Sequence, residues 1–115
     1  MEEFKKLSSL EKRKSESNRI LRKHPERIPI VVCKNKGDSL PDIDKQKYLV
    51  PKDMSIGQFM YVIRKRIKLE ANQALFILIN STLQPSNKSI SEIYNDCSDE
   101  DGFLYIIYSS ENTFG

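Results

Sequence analysis

One histidine, two cysteines and four glycines are all that this sequence of 115 residues holds of those three types. Each scarcity removes a kind of chemistry. His24 stands alone in "KHPER", far in sequence from Cys33 and Cys97, so no Cys/His spacing resembles a zinc site. A Cys-His nucleophile would have to be assembled by the fold, and no supporting constellation is visible. Without a glycine-rich loop there is nothing to cradle a phosphate. The acidic run "DCSDED" at 96–101 lacks EF-hand spacing and reads as a solvated loop. No enzymatic activity, metal or cofactor is expected. Long apolar runs are missing as well: no stretch approaches the roughly 20 residues of a membrane span. The N-terminus "MEEFKKLSSLEKRK" has no apolar signal core, which points to a soluble, cytoplasmic protein. The two cysteines are then free thiols, and the sequons at Asn80 and Asn87 are chance matches.

What is present fits one folded domain. At this length roughly 65% of the unfolded surface can be buried, and 38% apolar against 30% charged residues argues against disorder. Charge is unevenly placed. Residues 1–27 carry nine Lys/Arg against five Glu, and "RKRIK" at 64–68 adds four more basic residues. Those residues sit on helical segments without interleaved aromatics, so they suit partner steering and not nucleic acid.

Three S/T-x-x-E/Q boxes mark helix starts: Ser8 to Glu11, Ser55 to Gln58 and Ser89 to Glu92. Ile56, Phe59, Met60, Ile63 and Ile67 share one face of a central amphipathic helix ending near Lys68. A mostly polar helix from about Leu10 to Lys23 offers little beyond Leu10, Ile20 and Leu21 for burial, and a short turn or helix around Glu2 to Leu7 precedes it. Four strands are expected: "IPIVVC" from Ile28, "KYLV" from Lys47, "LFILI" from Leu75 and "FLYIIY" from Phe103. Three are apolar almost without alternation, the pattern of strands covered on both faces. One amphipathic helix covers one face, and the polar N-terminal helices are left to cover the other.

A helix between the second and third strands must cross the sheet, and the right-handed rule then sets first and last strands parallel in the middle, with the second and third at the edges. The expectation is an α+β, ubiquitin-like β-grasp with a four-stranded mixed sheet, a central helix and two additional N-terminal helices. It divides into a helical extension (1–27), a β-grasp core (28–108) and a flexible tail (109–115). "KYLV" is then an edge strand open to β-augmentation.

The segments "EKRKSESNRI", "ERIPIVV", "IDKQKYLVP", "IGQFMYVIRKRI", "DGFLYIIYS" and "ENTFG" together resemble the autophagy-related protein 8 family, the GABARAP-like ubiquitin-like modifiers. That resemblance, running from Phe4 to Gly115, implies conjugation of Gly115 to phosphatidylethanolamine on autophagosomal membranes by ubiquitin-activating-type and conjugating enzymes. A cysteine protease would expose the glycine and later remove the lipid. It also implies two pockets for aromatic-x-x-aliphatic motifs of cargo receptors. Glu16, Ile20, Pro29, Val31, Lys47, Leu49 and Phe103 would line the first, and Tyr48, Val50, Pro51, Met54, Phe59, Val62 and Ile63 the second. Arg27 and Arg66 would attract acidic residues beside the motif. For Phe59, Ile63 and Phe103 a core role is expected in any case. Two departures stand out. "SSL" at Ser8 to Leu10 replaces the His-Pro or Tyr-Pro pair and Phe of many members, and Ser110 stands where members have glycine, which should stiffen the tail. The chain ends on the glycine, either as made or as processed. A non-covalent adaptor of the same fold, binding peptides or tubulin-like acidic surfaces, is the alternative.

Overall fold

Serine side chains open three of the helices. In the computed structural model, which describes residues 1–111, a first short helix α1 (Glu2–Lys5) precedes α2 (Leu10–Lys23), α3 (Ile56–Arg66) and α4 (Ile90–Cys97). Ser55 and Gln58 form the full reciprocal box: the Gln58 N–H donates to Ser55 Oγ at 3.1 Å and the Ser55 N–H to Gln58 Oε1 at 2.9 Å. Ser89 accepts from the Glu92 N–H at 3.2 Å, but its hydroxyl donates to Glu92 Oε1, so the glutamate does not reach back to the backbone. At α2 the cap falls one residue later than the box at Ser8 suggests. Ser9 accepts from the Lys12 N–H, while the Ser8 carbonyl is taken by the Arg13 guanidinium at 2.6 Å. The central helix stops at Arg66, two residues short of the expected end, because Lys68 turns to a left-handed φ of 54°.

The strands are β1 (Arg27–Lys34), β2 (Lys47–Pro51), β3 (Phe76–Ile79), β4 (Thr82–Leu83) and β5 (Leu104–Ser109), ordered β2-β1-β5-β3-β4. β1 and β5 lie parallel at the centre, and β2 pairs antiparallel on β1, as the crossover rule requires. Among the described residues the sheet has five strands instead of the expected four. β3 is flanked by the two-residue β4, joined through Asn80 and Ser81 at φ 51° and 61°. Two successive positive φ values make the tight hairpin turn that usually carries Asn-Gly, and serine in the glycine position hid it.

Alternation along β1 divides the core. Ile28, Ile30 and Val32 join Val50, Ile56, Phe59, Ile63, Leu104 and Ile106 beneath α3 and α4. Val31 and Cys33 join Phe4, Phe103 and Tyr105 beneath the N-terminal helices. This second face is polar in its fastening. Arg13 and Ser17 are buried on α2, and Asp101, expected in a solvated loop, is fully buried. Arg13 Nε donates to Asp101 Oδ2 at 2.9 Å, the Tyr105 hydroxyl donates to the same oxygen at 2.6 Å, and the Ser17 hydroxyl donates to the Asp101 carbonyl. A Cβ on Gly102 would collide with Ser17 Oγ, and the backbone there has φ 89°, so only glycine lets α2 sit this close. Lys5 adds a 2.7 Å ion pair to Asp99.

Candidate functional site

Which backbone groups β2 leaves free follows from its register. The Val32 N–H donates to the Gln46 carbonyl at 2.8 Å and the Lys52 N–H to the Glu26 carbonyl at 3.1 Å. Bonded and non-bonded pairs alternate in an antiparallel ladder. With Ile30 opposite Tyr48 and Ile28 opposite Val50, the bonded positions are 46, 48, 50 and 52. Lys47 and Leu49 therefore turn their N–H and C=O groups outward, where no strand pairs with them among the described residues. The Leu49 carbonyl accepts from Arg27 Nη1 at 3.3 Å. Pro29 faces Leu49 at a non-bonded position and precedes the pairing with β5, which starts at Ile30, so its missing N–H costs no ladder bond.

The same register sorts the side chains. Lys47 lies opposite Val31 and Leu49 opposite Pro29, on the face carrying Phe103 and packed by Ile20. Glu16 reaches across from α2 to Lys47, with Nζ to Oε distances of 2.9 and 3.1 Å. Lys47 Nζ also lies 5.8 Å from the Phe4 ring centroid. The first set of seven residues is thus gathered on one side of the edge, rimmed by an ion pair. On the other side Tyr48, Met54 and Val62 pack against the cluster containing Val50, Phe59 and Ile63. The Tyr48 ring meets Phe59 edge-on, with centroids 5.6 Å apart and planes at 85°. Pro51, exposed, ends the strand and its carbonyl accepts from the Met54 N–H.

Exposure separates wall from floor. Phe59, Ile63 and Phe103 are at most 1% exposed, so they shape this surface from beneath. Lys47, Tyr48, Leu49, Met54 and Val62 offer accessible area. Among the described residues the buried Tyr48 hydroxyl has no hydrogen-bond partner; its pKa is raised by that burial, partly offset by the nearby Arg66 guanidinium. Arg66 itself pairs with Asp44 at 3.3 Å. An aromatic edge, an open strand and a neighbouring cation suit an extended peptide with apolar side chains and flanking carboxylates.

Other groups lie elsewhere. A cavity of about 560 Å³ sits at the far end of β1, lined by Met1 to Phe4, Cys33 to Gly37, Asp42, Gln46 and Ile107. Cys33 is buried and Cys97 half-buried, both unbridged. Gly115 and Phe114 lie outside the described residues. Among the described residues no group of three or more His, Cys, Asp or Glu is placed to hold a metal, and no helix is long and apolar enough to cross a membrane. Sequence reading missed Arg13, Ser17 and Asp101. A partial signal was available for the two on α2, since Arg13, Ser17 and Ile20 recur at helical spacing on one face, while nothing in the sequence marked Asp101 as their partner.

Comparison with known proteins agrees with this fold. The family described as "Autophagy protein Atg8 ubiquitin like" matches residues 12–115. Autophagy-related protein 8e of Arabidopsis thaliana is 55% identical over 112 residues, covering 97% of this chain and 92% of the relative. Autophagy-related protein 8 of Kluyveromyces lactis is 58% identical over 113 residues, covering 97% and 90%. The crystal structure of Trypanosoma brucei ATG8 superposes with a TM-score of 0.89 at 43% identity, covering 97% of each chain.

Proposed function

Because the chain belongs to the Atg8 family of ubiquitin-like autophagy proteins, we propose that it is a modifier joined through Gly115 to phosphatidylethanolamine and that it recruits receptors at the β2 edge. The observation that carries the receptor half is the outward backbone of Lys47 and Leu49, set between two apolar faces. A receptor segment adds a strand there, its aromatic residue entering beside Ile20, Leu49 and Phe103 and its aliphatic residue, three positions on, beside Tyr48, Met54 and Val62. Arg27 and Arg66 draw acidic residues flanking the motif. Two such anchors contribute about 1.5 to 3 kcal/mol each, and association costs consume much of that. Binding is of micromolar class and receptors exchange.

The lipid half is a localisation switch. One acyl chain binds a membrane only marginally, with a constant near 10⁴ M⁻¹, whereas two chains hold firmly. Phosphatidylethanolamine supplies both at once, moving the protein from cytoplasm to the autophagosomal or a related vesicle membrane. The reaction needs the activating-type and conjugating enzymes to handle a free Gly115 carboxylate, and a cysteine protease to expose it and to reverse the linkage. Incubation with those enzymes and phosphatidylethanolamine liposomes tests this reading. The wild-type protein is expected to float with the liposomes and Gly115→Ala to stay in solution; if neither floats, the modifier reading fails and a non-covalent adaptor replaces it.

A further inference from the structure

The loop between β1 and β2 holds one carboxylate where the conjugating segment leaves the sheet. Gly37, at φ 80°, turns the chain so that Asp38 faces the end of β5. Asp38 Oδ1 accepts from the Leu40 N–H at 2.9 Å, fixing the side chain to its own loop. Its Oδ2 accepts three bonds from the departing chain: the Ser109 hydroxyl at 2.8 Å, the Ser110 N–H at 2.8 Å and the Ser110 hydroxyl at 3.1 Å. Ser109 Oγ in turn accepts from the Glu111 N–H at 3.1 Å. The loop is anchored independently, by buried Leu40 and by the Tyr108 hydroxyl donating to the Pro41 carbonyl at 2.7 Å.

From this we infer that Asp38 is a positioning residue for conjugation: with Ser109 and Ser110 it clamps the root of the C-terminal segment and fixes where the last five residues start. The inference rests on the modifier reading above for its consequence, though not for its geometry. The clamp extends order past the expected boundary, since Ser109 closes β5 and Ser110 is tied by both backbone and hydroxyl. Ser110 supplies two of the three bonds, one from its N–H and one from a hydroxyl that glycine would lack. Burial pushes the Asp38 pKa up, but the bonds from Ser110, Leu40 and Ser109 outweigh it and hold the carboxyl below its ordinary value, so the acceptor is charged at neutral pH. Five residues beyond Ser110 span at most about 17 Å. A fixed Ser110 therefore sets the point from which the conjugating end is presented, and ordering already in place at Ser109 and Ser110 lowers the cost of the encounter.

Two readouts on the full chain test this. Amide hydrogen exchange at Ser110 and Glu111 reads the clamp alone: Asp38→Ala should speed exchange there by about tenfold, equivalent to about 1.4 kcal/mol, with Asp38→Asn between it and wild type. Ser110→Gly, which keeps the backbone bond, should have the smallest effect. Thioester formation with the activating-type enzyme reads the consequence: Asp38→Ala should raise KM severalfold at unchanged kcat, and Asp38→Asn should recover part of it. Unchanged exchange at Ser110 in both Asp38 variants would overturn the clamp. Altered exchange with unchanged KM would overturn the positioning role while leaving the clamp. A wild-type chain that forms no thioester would overturn the modifier reading, and with it the positioning role, while exchange still decides the clamp.

Discussion

The two faces of the sheet are closed by different physics. Beneath α3 and α4 lies an isoleucine-rich cluster in which Ile30, Val32, Ile56, Phe59, Ile63, Ile90, Ile93 and Leu104 have no exposed surface. Beneath α2 the apolar cluster has five buried members among the described residues, and the helix is fastened by Arg13, Ser17 and Asp101. Apolar packing tolerates repacking, whereas hydrogen-bonded charges hold one geometry or lose their solvation without return. The polar face fixes the seat of α2, and α2 carries Glu16 and Ile20 to the edge of β2. The apolar face supplies stability, and the polar face supplies the placement of half the candidate site.

The largest expected effect breaks the apolar side. Phe59→Ala removes a wholly buried ring contacting Tyr48 and should cost about 3 to 5 kcal/mol, read as a fall in the denaturant midpoint. Asp101→Ala should cost about 3 to 5 kcal/mol as well, because it strands a guanidinium that is 9% exposed. The two differ in the double variant. Arg13→Met with Asp101→Leu should recover much of the loss, while peptide binding at the first pocket should still fall, because α2 has lost its fixed seat. Full retention of binding by that double variant would dissolve the distinction drawn between the faces. Ser17→Ala should cost about 1 kcal/mol, with the loss visible as faster amide exchange in α2 before α3.

Acid sharpens the contrast further. The Asp99 carboxyl is raised by burial but lowered more by Lys5 and by the Asp101 N–H, so it sits below its ordinary 3.8. A carboxyl with a depressed folded value contributes stability that is complete above about 3.8 and is lost as pH falls through the folded value. Carbonyl shifts of Asp99 should titrate below 3.8, and α1 should loosen before the α3 core does. The smallest effect belongs to the exposed rim: Lys47→Ala removes a pair with side chains 51% and 30% exposed and should change stability by less than about 1 kcal/mol, while weakening peptide binding.

Much of this was legible in the residues. Ile56, Phe59, Ile63 and the Ser55 to Gln58 box place α3 because apolar spacing and capping agree on one helix. Alternation in "KYLV" puts Lys47 and Leu49 on one face and Tyr48 and Val50 on the other, as the register has them, because strand periodicity leaves no third option. The Arg13 to Asp101 pair was not legible, since 88 residues separate its members and a charge in sequence looks solvated until the fold removes the water. Asp38 was hidden for the same reason, being 72 positions from Ser110. β4 was missed because two residues carry no periodicity.

The account stands most directly on the outer edge of β2. Titration of ¹⁵N-labelled protein with an aromatic-x-x-leucine peptide should shift the amides of Lys47 and Leu49 most, in a saturable manner and at micromolar midpoint, with their exchange slowed in the complex. Leu49→Ala should weaken that binding. Shifts confined to other surfaces, or no saturation below millimolar peptide, would contradict it.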